Sequence, residues 1–154
     1  MARGTGRAPS GDLSRAYKGT LGQTQSKTIH VTNARGDLIA TTVHTSIDAL
    51  TDPEIVERLY AGTLNTASVP IVYHDPGAEV FVLVLGEAHR HREIEERISL
   101  LERLRDDSAV IPAYVKDFAV VFDGNGLRAY LEQKAQQLLA TRAVQVADLA
   151  HRRD

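Results

Sequence analysis

The chain has 154 residues, a net charge of −2 and no cysteine. A chain of this length favours one domain that buries roughly 68–70% of its unfolded surface. The absence of cysteine excludes disulfides, thiolate zinc sites and a cysteine nucleophile, and it suits a reducing compartment, so a cytoplasmic location is expected. The longest strongly apolar run, Val80 to Leu85, is too short to span about 30 Å of hydrocarbon. Met1 to Gly22 holds no apolar stretch of the kind a secretory signal needs.

Charge is unevenly spread. Residues 1–27 carry Arg3, Arg7, Arg15, Lys18 and Lys27 against Asp12, a net +4, which leaves −6 on the rest. Residues 1–26 are rich in Gly, Ser, Thr and Gln and are expected to form a disordered basic arm. Such an arm reads as a solubilising tail, or as a weak contact for nucleic acid or an acidic partner.

From Thr28 the apolar residues alternate: Ile29 and Val31 with His30 and Thr32. Asn33-Ala34-Arg35-Gly36-Asp37 supplies turn chemistry, and Leu38 to His44 is β-branched and apolar, so a hairpin is predicted. Thr51-Asp52-Pro53-Glu54 starts a helix. Either Thr51 and Glu54 form a capping box, or Asp52 caps with Pro53 in the first turn. Ile55, Val56, Leu59 and Tyr60 share a face, and Gly62 ends the helix. Strands are predicted over Ser68 to Tyr73 and Ala78 to Leu85, with His74-Asp75-Pro76-Gly77 as the turn between them. The second strand is apolar at consecutive positions, which points to burial on both faces.

Glu87 to Arg105 reads as a helix whose core face is Ile94, Ile98, Leu101 and Leu104. The spacings Arg92–Glu96 and Glu93–Arg97 support its solvent face. A strand over Val115 to Phe122 follows. Asp123-Gly124-Asn125-Gly126 is the connector, with Asn125 a possible cap, and a long helix runs from about Leu127 towards Ala150. The expected fold is α+β in the order ββ-α-ββ-α-β-α: two β-hairpins and a further strand in a mostly antiparallel sheet, with three helices packed on one face.

Few residues offer chemistry. His74 beside Asp75 has the composition of a general base or metal site, but neighbouring strand residues point to opposite faces. Tyr73, His74, Asp75 and Pro76 are therefore read as a structural turn. His89 and His91 lie about 200° apart on a helix, and His30 and His44 form a cross-strand pair only in a suitable register. The charge run from Glu93 to Asp107 is a solvated helix face. Gly124-Asn125-Gly126 lacks the remainder of a phosphate loop. Five tyrosines and three phenylalanines make no stacking platform for single-stranded nucleic acid.

Several strings, in order, resemble the bacterial CpXC domain family over about Thr28 to Gln137. They are Ser46-Ile47-Asp48-Ala49, Thr51-Asp52-Pro53-Glu54, Gly62-Thr63-Leu64-Asn65, Val69-Pro70-Ile71-Val72-Tyr73-His74-Asp75-Pro76 and Val121-Phe122-Asp123-Gly124. Tyr-His-Asp-Pro after a Val-Pro strand is the most specific piece. The family is named for two Cys-Pro-X-Cys knuckles. Here their places, near Val31 to Gly36 and between Asn65 and Val69, hold no cysteine. The resemblance thus implies the scaffold without its structural zinc.

The sequence reads as a non-catalytic interaction or assembly protein with no catalytic residue, metal or cofactor. Residues 1–26 form the arm, 27–140 the domain and 141–154 a distal helical extension. The expected contact for a protein partner or a second copy is the apolar set Leu139, Ala143, Val146 and Leu149. A small metal-dependent hydrolase centred on His74 and Asp75, and an accessory nucleic-acid binder using the arm, are the competing readings.

Overall fold

The computed structural model describes residues 19–65, 68–107 and 110–152, the last eight of these as helix backbone alone. Five strands lie in sequence order in one sheet: β1 (Gln25–Thr32), β2 (Leu38–Asp48), β3 (Ile71–Asp75), β4 (Val80–Leu85) and β5 (Ala119–Phe122). Four α-helices accompany them: α1 (Pro53–Ala61), α2 (Glu93–Asp107), α3 (Ala113–Lys116) and α4 (Asp123–Arg152). Short 3-10 turns occupy Thr20–Gly22 and Glu87–Arg92. The class is α+β, as the alternation and helix starts predict.

The sheet is mixed rather than mostly antiparallel. β1–β2 and β3–β4 are antiparallel hairpins, but β2–β3 and β4–β5 are parallel pairs, each joined by a helical crossover. The helices lie on both faces, not one. Crossovers of this kind are right-handed almost without exception. β2 and β4 run in opposite directions while both crossovers step the same way across the sheet, so the rule sends α1 and α2 over opposite faces. One core contains Ile47, Tyr73, Val80, Val82 and Val84 under Val56, Leu59 of α1 and Leu127 of α4. The other contains Val72, Phe81, Leu83 and Leu85 under Leu100, Leu104 of α2 and Val115, Phe118 around α3. β4 is buried at all six positions, as its unbroken apolar run implies.

Local differences have local causes. Asp52 holds the N-cap position before Pro53, but its carboxylate accepts from the Thr24 and Thr51 hydroxyls instead of capping the helix. Gly62 closes α1 with φ of 75°. β3 extends to Asp75, so the turn is Pro76 to Glu79, and Glu79 takes a φ of 55°. The expected strand over Val115–Phe122 loses its first half to α3. Pro112 carbonyl oxygen accepts from the Val115 and Lys116 amides, and this single turn consumes the segment. α4 begins at Asp123, directly after β5, so the connector is the first turn of the helix.

On α2 the expected core face is largely wrong. Leu100 and Leu104 are buried, whereas Ile94, Ile98 and Leu101 are 72%, 51% and 44% exposed. At 100° per residue the Leu100–Leu104 pair points roughly 110° away from the 94–98–101 row, so one helix carries two apolar stripes and only one meets the sheet. The predicted pairs Arg92–Glu96 and Glu93–Arg97 form, at 3.6 and 3.2 Å. Among the described residues no helix is long and apolar enough to cross a membrane.

Gly124 sets how closely α4 approaches α1, because a Cβ there would lie 2.6 Å from the Leu59 carbonyl oxygen. Gly124→Ala should therefore cost about 2–3 kcal/mol through forced separation of the helices. Gly126→Ala, whose Cβ would meet Val121 at an ordinary 3.6 Å, should be neutral or stabilise by up to about 1 kcal/mol. Urea denaturation of the two variants checks this contrast.

Candidate functional site

His74 is the one buried histidine among the described residues, and two distant segments converge on it. β3 carries it on the α2 side, opposite Tyr73, which packs in the other core. Its Nδ1 lies 3.2 Å from the Gly22 carbonyl oxygen and its Nε2 2.7 Å from the Tyr114 hydroxyl. A carbonyl only accepts, so Nδ1 carries the proton, and Nε2 accepts from Tyr114. The Tyr114 ring stacks on the imidazole at 5.8 Å and Phe81 tilts against it at 5.4 Å. Gly22 is required at this contact, since a Cβ there would stand 2.4 Å from Nδ1.

This node fastens the N-terminal segment. Asp107 accepts from the Thr20 hydroxyl at 2.7 Å and from the Leu21 amide at 3.1 Å. The Ser46 hydroxyl donates to Gln23 carbonyl oxygen, and Thr24 bridges the Asp52 carboxylate and the Asp48 amide. The expected arm boundary at residue 26 therefore moves: Gly19 to Ser26 belong to the body, with β1 starting at Gln25. The disorder expected of residues 1–18 lies outside the described residues.

Asp75 does not complete a dyad with His74. Its Oδ1 accepts from the Gly77 and Ala78 amides at 3.0 and 3.2 Å and shapes the turn. Of the four residues read as a turn, Asp75 and Pro76 shape it, while Tyr73 and His74 are buried strand residues. Burial holds the Tyr73 phenol above its ordinary value. Burial is also the largest influence on His74, pushing it below the ordinary histidine value against the Gly22 carbonyl and the more distant Asp48 and Asp75 carboxylates, which act the other way. His30 pairs with Ala40 and His44 with Ser26, so these histidines are not opposite one another. Among the described residues no group of three or more His, Asp or Glu is arranged to hold a metal ion.

A cleft of about 560 Å³ opens where the carboxyl ends of β4 and β5 meet the end of α1. Asp123, at φ of 60°, accepts from the Glu87 amide at its rim. Arg90 lies 3.8 Å over the Phe122 ring and grips Glu87 through two bonds. Ser68 Oγ and His89 Nδ1 approach to 3.4 Å, longer than the 2.6–3.2 Å of an activated nucleophile. Asn65 serves the backbone: its amide accepts from His44 N and donates to His44 O, at 2.8 and 3.0 Å. Neither Asn65 nor Gly22 stands out in the sequence, because Asn65 bonds only a distant backbone and Gly22 offers only its own backbone carbonyl.

The expected contact residues lie on α4. Leu127 is buried and Tyr130 and Leu131 rest on the core, but Leu138, Leu139 and Val144 are 60%, 65% and 69% exposed, and Ala143 is exposed. The side chains of Val146 and Leu149 lie outside the described residues. The structure thus leaves one apolar row uncovered on α2, and on distal α4 exposes Leu139 and Ala143 on one face with Leu138 and Val144 on others.

His74→Ala should cost about 2–3 kcal/mol, through two lost hydrogen bonds and a buried void, well above the effect of a surface turn residue. Neutral His74 is favoured by the fold, so its contribution is fully present above the unfolded pKa near 6.5. That contribution is lost as pH falls through 6.5 towards the lower folded value. Stability measured across pH 5–8 should fall on the acid side for the wild type and more shallowly for His74→Ala. No family model, curated protein or solved structure matches the chain, so its function is argued from these surfaces.

Proposed function

We propose that this protein is a non-catalytic assembly module that associates with a second copy of itself through distal α4, on a CpXC-like scaffold that has lost its zinc knuckles. The observation that carries the reading is the exposure of Leu139 and Ala143 on one face of a long helix, with Leu138 and Val144 exposed on its other faces. Thirty residues at 1.5 Å each give α4 a length of about 45 Å, and only its first turns pack on the core. Apolar side chains continued beyond their own domain are stable in water when another chain covers them, most simply a symmetry mate.

On this reading the residues that carry the resemblance are structural. Gly62 ends α1, Leu64 is buried, Asn65 ties the following loop to β2, and Tyr73 and His74 anchor opposite cores. These roles need no metal. The hydrolase reading loses support because both His74 nitrogens are engaged and Asp75 is committed to its turn.

Truncation after Ala140 tests the proposal. The shortened protein should lose only the helical circular dichroism of residues 141–152 and still unfold cooperatively, while light scattering shows it as a single chain at concentrations where the full chain is paired. An unchanged mass after truncation would remove distal α4 from the interface.

A further inference from the structure

We propose that residues 1–18 fold back into a groove at the acidic end of their own sheet, between the β3–β4 turn, α3 and α4. This stands apart from the self-association reading and does not depend on it.

The strand directions collect charge at one end of the sheet. β2 and β3 end where β4 and β5 begin, and β1 starts there too. Each crossover helix runs back along the sheet, so α1 begins and α2 ends at the same place. Asp48, Asp52, Asp75, Glu79, Asp107 and Asp117 gather there against Lys116 and Lys134, a net −4. Among the described residues Asp48, Asp52, Asp75, Glu79 and Asp117 form no ion pair; the pairs that form lie within Glu87 to Asp106.

A groove of about 480 Å³ opens at this end. Val80, Leu131 and Leu138 give it apolar walls, and Asp75 and Glu79 stand beside them. A hollow of about 240 Å³ adjoins it at Glu79 and Tyr114 and adds Asp117, with Lys134 the cation in both.

The incoming chain fits this seat in place, reach and charge. Tyr114 in the groove wall is bonded to His74, and the other nitrogen of His74 meets Gly22, so one imidazole separates the groove from the N-terminal segment. The 18 residues before Gly19 span at most about 60 Å, ample for a groove one side chain away. They carry Arg3, Arg7, Arg15 and Lys18 against Asp12, a net +3, and they enter beside a net −4. Leu13 and Tyr17 supply apolar side chains for the groove walls, and Arg15 and Lys18 flank them to meet Asp75 and Glu79. A tether of this length holds the segment at an effective concentration of about millimolar, so a modest contact suffices.

The chain has no cysteine, so Ser14→Cys takes a single nitroxide. In the full chain at low salt, the amide signals of residues 78–80 and 134–138 should lose most of their intensity. They should recover in salt that screens the charges. They should also recover when Glu79→Lys and Asp117→Lys are added, both at exposed positions, so that the melt stays that of the wild type. Arg15→Glu with Lys18→Glu should act the same from the other side of the contact. A mixture of nitroxide-bearing chains with isotope-labelled chains lacking the nitroxide should show no loss. Loss in that mixture means that the segment reaches a second copy, and it overturns the inference. Full intensity in the singly labelled chain, or loss that survives both pairs of charge reversals, shows that the groove is not the seat and overturns it as well.

Discussion

The double burial of β4 is the constraint on which the architecture depends. Six consecutive residues, Val80 to Leu85, have no side facing water, and alternate side chains enter separate cores. A strand of this kind is stable only in the interior of a sheet with both faces covered. β3 and β5 flank it, α1 and α4 cover the Val80–Val82–Val84 face, and α2 and α3 cover the Phe81–Leu83–Leu85 face. With about 1.5–3 kcal/mol gained for each large apolar side chain fully removed from water, this strand contributes to both cores at once.

Once β4 is central, the fates of the other elements narrow. The second core must be closed near the start of β4, where β5 does not reach, because β5 pairs only with Val82 to Leu85. Tyr114, Phe118 and the segment around Gly22 close it, and His74 joins them. A histidine suits that position because its two nitrogens can satisfy a carbonyl and a hydroxyl at once while its ring packs against Phe81. The result is a hydrogen-bonded joint among β3, α3 and the chain entering β1, made without a charge.

Much of this was legible in the residues themselves. The alternation at Ile29 and Val31, the Asp52–Pro53 helix start, the Gly62 stop and the unbroken run of β4 are short-range signals, and the corresponding elements stand near the predicted places. The parallel pairing was legible only indirectly: a strand, a helix and a second strand over Leu38 to Asp75 form a crossover, while hairpin turns on either side favour an antiparallel reading. The core face of α2 was not legible. Ile94, Ile98, Leu101 and Leu104 make as regular a row as Leu100 and Leu104, and periodicity alone does not choose between two rows on one helix. The His74 node was hidden for a different reason. Its partners, Gly22 and Tyr114, are 52 and 40 residues away, and one of the two offers only a backbone oxygen.

The first hairpin meets the rest of the sheet over a short base. β2 pairs with β3 only at Ser46, Ile47 and Asp48, and Asn65 extends the attachment by grasping His44 from the side. Residues 28–32 and 38–42 therefore pair only with each other and project as a two-stranded ribbon. Growth or shrinkage of that ribbon changes its reach without touching either core. Insertions and deletions of two residues in each strand preserve which side chains face which way, whereas an odd change in one strand reverses them beyond that point. The ribbon is accordingly the part of this domain most open to length variation and to the grafting of foreign loops, with Asn65 as the fixed collar below which the sheet does not register the change.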